Sequence, residues 1–84
     1  MHYVYIVKCA DNTLYTGWTT DLPKRIENHN KGLGAKYTRS RLPVKLVYKE
    51  EFTTKNAALS REFYIKNKLT REDKLKLIKG SEGF

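Results

Sequence analysis

The run HYVYIVKC, His2 to Cys9, constrains this chain more than any other stretch. Side chains of a strand alternate between two faces. Here both faces are apolar: Val4 and Ile6 point one way, and Tyr3, Tyr5 and Val7 point the other. A strand covered on both sides tends to be central in its sheet. The chain has 84 residues, and a chain this short buries only about 60–65% of its unfolded surface. One modest core and one domain are expected, spanning residues 1–80 with a short tail over 81–84.

The remaining elements follow from turn and cap signals. ADNT reads as a turn, because Asp and Asn make local side-chain bonds and tolerate unusual φ. LYTGWTT is the returning strand, and Gly17 within it suggests a bulge or a close approach by another segment's backbone. TTDLPKRIENHNKG signals a helix: Thr20 or Asp21 caps it, Pro23 fits its first turn and Gly32 ends it. Leu22 and Ile26, four apart, face the core. LGAKYTRSRLP reads as a basic loop and VKLVYKEEF as a third strand. TTKNAALSREFYIKNKL is a second helix. TREDKLKLIKG is a third, with Thr70 and Asp73 at capping-box spacing and Gly80 as its stop. The fold class is α+β: a small three-stranded antiparallel sheet flanked by three helices, in the order β-β-α-β-α-α.

Charge narrows the function. Seventeen Lys and Arg stand against nine Asp and Glu, a net charge of +8. Between Glu27 and Glu50 there is no acidic residue, while Lys31, Lys36, Arg39, Arg41, Lys45 and Lys49 fall in that interval. Such a one-sided stretch is the footprint of a polyanion binder; the plainer reading is a solvated basic surface. Cys9 is the only cysteine, which excludes an intramolecular disulfide and a cysteine zinc site and suits a reducing compartment. No apolar run approaches a membrane span, and the chain starts directly on a strand pattern. A soluble cytoplasmic protein is expected, with nucleic acid as partner and no membrane association.

Three groups of side chains stand out. Taken at about 100° per residue, Ala58, Leu59, Phe63, Ile65 and Leu69 form an apolar stripe, and Glu62 falls on its centre. A carboxylate there is costly without a partner. Either it forms an ion pair with Lys66 or Arg25, or sits at the stripe's rim, or it is a metal ligand or catalytic acid in a cleft. Arg25 and His29, four apart, share one helix face. A single histidine is more often packing than chemistry, but this one accompanies an arginine, a core-facing glutamate and two strand tyrosines. Tyr5 and Tyr15 are either ordinary strand aromatics or reactive groups.

Taken together, these residues resemble the GIY-YIG nuclease family, named for two tripeptides on adjacent strands. YVY (Tyr3 to Tyr5) stands for the first, with Tyr3 in place of its glycine. YTG (Tyr15 to Gly17) stands for the second. KRIENHN supplies the helix arginine and histidine, Arg25 and His29, and ALSREFYIK supplies the glutamate, Glu62. The likeness covers nearly the whole chain and is strongest to small stand-alone bacterial members, which share YTG, R…HN.G, KYT and E..IK. Several family nucleases carry an asparagine on the helix after the glutamate. Here EDKLKLIKG has none, and Lys74 and Lys76 are polar in that region.

The resemblance implies a metal-dependent endonuclease that hydrolyses nucleic-acid phosphodiester bonds, DNA before RNA, in repair or recombination. It implies Tyr5 as general base with Tyr15 close by, Arg25 on the phosphate, His29 assisting proton movement or orientation, and Glu62 holding one Mg²⁺ or Mn²⁺ ion, weakly without substrate. A free tyrosine has a pKa near ~10, so Tyr5 needs nearby positive charge from Arg25, Lys8 or the metal. The acid-free segment offers the tracking surface: Lys36, Arg39, Arg41 and Lys45, together with Lys66, contact phosphates, and Tyr37 stacks on a base. Phosphate contacts do not read sequence, so structure-selective or weakly selective cleavage is expected. Two other readings use the same surface. One is a nucleic-acid-binding module with weak or no turnover; the other is a subunit whose protein partner supplies targeting.

Overall fold

In a computed structural model, residues 1–81 are described. The elements are β1 (His2–Lys8), β2 (Leu14–Thr19), α1 (Leu22–Asn30), α2 (Lys36–Arg39), β3 (Lys45–Phe52), α3 (Lys55–Lys68) and α4 (Arg71–Ser81). The sheet is antiparallel throughout, in the order β2-β1-β3. β1 is central, as its two apolar faces require. Val4 and Ile6 pack with Ala58, Ile65 and Ile78 under α3 and α4. Tyr5 and Val7 pack on the opposite face with Cys9, Leu22 and Val44, joined by Tyr3 and Ile26. Two small cores therefore share one strand.

The cap signals act as their chemistry dictates. Asp21 accepts the Lys24 N–H and starts α1, with Pro23 in its first turn. Gly32, at φ 77°, follows its end. The Gly32 N–H bonds to the His29 carbonyl and the Leu33 N–H to the Asn28 carbonyl, a Schellman closure that needs the left-handed residue. Thr54 caps α3. Thr70 and Asp73 exchange side-chain and backbone bonds at the start of α4. Asp11 holds the β1–β2 turn through the N–H and hydroxyl of Thr13, and Asn12 takes positive φ there.

The structure departs from the sequence reading at five points. The segment LGAKYTRSRLP is not all loop: it contains the single turn α2, which buries Thr38 completely. The sheet is thus flanked by four helices, not three. Gly17 marks no bulge in the β1–β2 ladder; a side chain at that position would collide with the Tyr5 ring, so a side chain and not a backbone makes the close approach. The irregularity lies instead between Ile6 and Val7, where β1 meets β3. Gly80 does not stop α4, which includes Ser81; residues 82–84 of the expected tail lie outside the described residues. Phe63 is 60% exposed, because α3 rests on the sheet through Ala58 and Ile65 and turns Phe63 away.

One side chain ties the end of α1 to the start of β3. Asn30 accepts the Val44 N–H at 2.7 Å and donates to the Val44 carbonyl at 3.2 Å, as a paired strand would. Val44 is buried, so losing this clamp leaves both its backbone groups short of partners. Asn30→Ala is expected to destabilise the fold by about 1–3 kcal/mol, read as a lower urea midpoint with an unchanged slope.

Candidate active site

The α1 face of the sheet brings four of the five expected residues together. Tyr5, from the middle of β1, is fully buried, as is His29 from the last turn of α1. The Tyr5 hydroxyl lies 2.8 Å from His29 Nε2. Arg25 Nε donates to the same hydroxyl at 3.1 Å. Arg25 and His29 stand one helical turn apart, so one phenol oxygen meets both. Tyr15 lies edge-on to the His29 ring, with centroids 5.6 Å apart, and its hydroxyl also strengthens the hold of the Arg25 guanidinium on its proton.

The directions of these bonds follow from the far end of the chain of contacts. Thr38 Oγ1 donates its hydrogen to the Ala35 carbonyl at 2.9 Å. It therefore accepts from His29 Nδ1, 2.9 Å away. With its proton on Nδ1, the neutral imidazole offers a lone pair at Nε2, and the Tyr5 O–H donates to it. The sequence is Arg25 to Tyr5 to His29 to Thr38 to Ala35, each group donating to the next. Two glycines make room for it. The Tyr5 ring fills the space a side chain would take at Gly17, and the His29 ring fills it at Gly34.

Burial sets the proton affinities. It raises the Tyr5 pKa above the usual value, and the bond and charge of Arg25 offset only part of that rise. Lys8 is not among the groups acting on Tyr5; it is exposed at the end of β1. Without a metal ion Tyr5 rests as a neutral phenol, because desolvation outweighs the one nearby cation. Burial, with Arg25 second, lowers the His29 pKa below 6.5. The imidazole is neutral at pH 7 and ready to accept.

A family model described as the GIY-YIG catalytic domain matches residues 1–76. The chain belongs to the GIY-YIG family. It is 67% identical over 78 residues to UPF0213 protein CPE1444 of Clostridium perfringens, covering 93% of this chain and 83% of that one. It is 60% identical over 82 residues to UPF0213 protein SSP2268 of Staphylococcus saprophyticus, covering 98% and 96%. The solution structure of UPF0213 protein BH0048 from Bacillus halodurans is 45% identical and superposes with a TM-score of 0.63, covering 98% of this chain and 86% of that one. That of EF2693 from E. faecalis is 39% identical with a TM-score of 0.64, covering 99% and 88%.

In this GIY-YIG domain the fifth residue, Glu62, stands on α3 and makes no hydrogen bond to the other four. It is half-buried, and its charge is a minor contributor to the raised Tyr5 pKa, after burial. Neither partner considered from the sequence holds it. Arg25 bonds to Tyr5, the Lys66 ammonium lies 5.4 Å from the Tyr15 ring centroid, and no ion pair involves Glu62 among the described residues. An unpaired carboxylate is a hard oxygen donor. No group of three or more His, Cys, Asp or Glu suited to a metal occurs among the described residues. This donor set fits an ion such as Mg²⁺, which keeps several waters and leans on substrate phosphates.

The expected nucleic-acid contacts divide into three groups. Lys36 and Arg39 are exposed on α2. Tyr37 stacks on Tyr15, with centroids 5.9 Å apart, and the Arg41 guanidinium lies 4.0 Å from its ring centroid. Arg41 is itself tied to Asp11 at 3.0 Å and to the Tyr37 carbonyl. Lys45 lies away from α2, at the start of β3 opposite Lys8. Sequence reasoning missed Thr38 as a site residue. Its one signal was the threonine of KYT, which no helical or strand period distinguishes. No helix is long and apolar enough to cross a membrane among the described residues.

His29 makes stability depend on pH. Its folded pKa lies below its unfolded value, so between the two the unfolded chain binds more protons. The stability contribution is complete above pH 6.5 and falls as pH drops from there toward the folded pKa. Urea unfolding at pH 7.5 and pH 5.5 is expected to show this loss. Nitrogen NMR of the ring should show the Nδ1–H tautomer at the higher pH, and Thr38→Val should disturb it.

Proposed function

We propose that this chain is a metal-dependent endonuclease acting on DNA with little sequence preference. The Arg25–Tyr5–His29 chain, beside an unpaired Glu62, carries the reading. Phosphodiester hydrolysis needs a base for the attacking water and positive charge at the phosphate. Tyr5 serves as that base in relay. The water's proton passes to the Tyr5 oxygen as the phenol's own proton passes to His29 Nε2. The water oxygen forms its bond to phosphorus, the bond from phosphorus to the departing sugar oxygen breaks, and that oxygen takes a proton from solvent water. Thr38 accepts from the imidazolium that results. Arg25 faces the phosphate oxygens, and Tyr15 helps to orient its guanidinium. A Mg²⁺ or Mn²⁺ ion held by Glu62 would neutralise charge on those oxygens.

This route answers the energetic objection to a buried tyrosine base. A phenolate at rest is disfavoured by burial, but a relay never holds one. It needs a neutral His29, which the lowered histidine pKa provides. The same surface also suits a binding module without turnover, and one experiment separates the two. Supercoiled plasmid and branched DNA are incubated with Mg²⁺ or Mn²⁺ and the wild-type, Glu62→Ala or Tyr5→Phe protein. Nicking by the wild type and none by Glu62→Ala is expected. Tyr5→Phe should lower the rate by about 10²–10⁴-fold and leave DNA binding intact. The wild-type rate should fall on the acid side with an apparent pKa below 6.5, where His29 takes a proton. Equal cleavage by wild type and Glu62→Ala would defeat the proposal. Salt-sensitive binding with no cleavage would make the chain a binding module or a subunit awaiting a partner.

A further inference from the structure

A second cationic surface lies at the end of the sheet where β1 stops and β3 starts. Lys8 and Lys45 are direct partners across that antiparallel ladder. Like charges placed opposite each other destabilise a sheet, so this pair does nothing for the fold. They line a groove of about 560 Å³ with Arg71, from the start of α4, over a floor that includes Val47 and Ile78. A hollow of about 220 Å³ adjoins it, lined by Tyr37, Arg71 and Lys74 among others. Arg71 and Leu14 belong to both. No carboxylate lines either one.

The surface continues to the active site. Lys74 is half-buried, and burial together with the charge of Lys66 lowers its pKa. Lys66 lies over Tyr15. Lys8, Lys45 and Arg71 thus share the groove, Arg71 and Lys74 share the adjoining hollow, and Lys66 stands over the Tyr15 ring. None of the five is in an ion pair among the described residues. Elsewhere Lys24 and Lys31 approach Glu27, and Arg41 and Arg61 pair with Asp11 and Glu50, while the other cations, like these five, have no ion pair among the described residues. A solvated face tolerates loose lysines, but it gives no reason to half-bury one beside another or to stack two across a ladder. A bound polyanion does.

We propose that this groove holds the phosphate backbone of the nucleic-acid strand flanking the scissile bond. The inference rests on the nuclease reading of the site and adds the path the substrate takes from it. The ligand is a phosphodiester chain and not a single phosphate, because the cations are spread over two adjoining hollows. Contacts of this kind fix register without reading sequence.

The test is binding of fluorescein-labelled branched DNA in EDTA, followed by anisotropy over a range of KCl concentrations. Each lost phosphate contact should shrink the log–log salt slope by about 0.7–0.9. The triple variant Lys8→Gln, Arg71→Gln, Lys74→Gln should bind at least tenfold more weakly, with a slope smaller by about 2. Circular dichroism checks its fold, and the single variants Arg71→Gln and Lys74→Gln each supply a smaller step in the same direction. The double variant Lys24→Gln, Lys31→Gln should bind like wild type. Unchanged affinity and slope in the triple variant would overturn the groove and leave the nuclease reading standing. An equal loss in the Lys24, Lys31 control would also overturn it, by showing only a net-charge effect. No binding by the wild type would overturn both. Groove-dependent binding without cleavage in Mg²⁺ would uphold the groove and defeat only the nuclease reading.

Discussion

A buried hydroxyl must be hydrogen-bonded, and Tyr5 carries one in the middle of the central strand. Leaving it unpaired costs ~1–3 kcal/mol, a large share of what a small domain has. Much of the α1 side of the molecule follows from meeting that demand. α1 crosses the face so that Arg25 and His29, one turn apart, both reach the phenol. His29, buried in turn, needs a partner for its other nitrogen, and α2 exists as a single turn that brings Thr38 to it. The Asn30 clamp then fixes the end of α1 against Val44. A chain of obligations passes from one polar atom to the next until it ends on the Ala35 carbonyl.

The same chain of bonds decides which proton sits where. A histidine in water exchanges between two tautomers and titrates near ~6.5. Here Thr38 selects the tautomer and burial suppresses the charged form. The same burial raises the Tyr5 pKa, so that side chain too is held in its neutral form. Two groups whose environments both favour neutrality, joined by one short bond, pass a proton with little charge separation at rest. Arg25 supplies the positive charge that the pair itself lacks.

Much of the fold was legible in the sequence, because its signals are local. Val4, Ile6 and their odd-numbered neighbours showed a strand buried on both faces. Asp21, Gly32, Thr70 and Asp73 marked helix ends through bonds to residues a few positions away. What escaped was not local. α2 is one turn long and has no period to read. Thr38 looks like any loop threonine until His29 arrives from nine positions earlier. The helical wheel treated the stripe on α3 as one face against one surface. The helix in fact rests on the sheet through Ala58 and Ile65, so Phe63 turns outward and Glu62 comes to the edge. The cluster of Arg25, His29 and Glu62 was readable as a pattern, while the direction of each proton needed three dimensions. Lys8 was read as a neighbour of Tyr5 because both are on one strand, but three positions along a strand put them on opposite faces.

Gly17 and Gly34 stand on either side of the Tyr5–His29 pair, and each leaves open the space that a ring occupies. Neither has the positive φ that would make a glycine a backbone requirement. The site is therefore shaped partly by atoms that are absent. One added methyl group at either place would push a buried ring aside and break the hydrogen-bond chain on which the α1 side of the fold rests. The empty space at two glycines is thus as much a part of the proton chain as the residues that carry it.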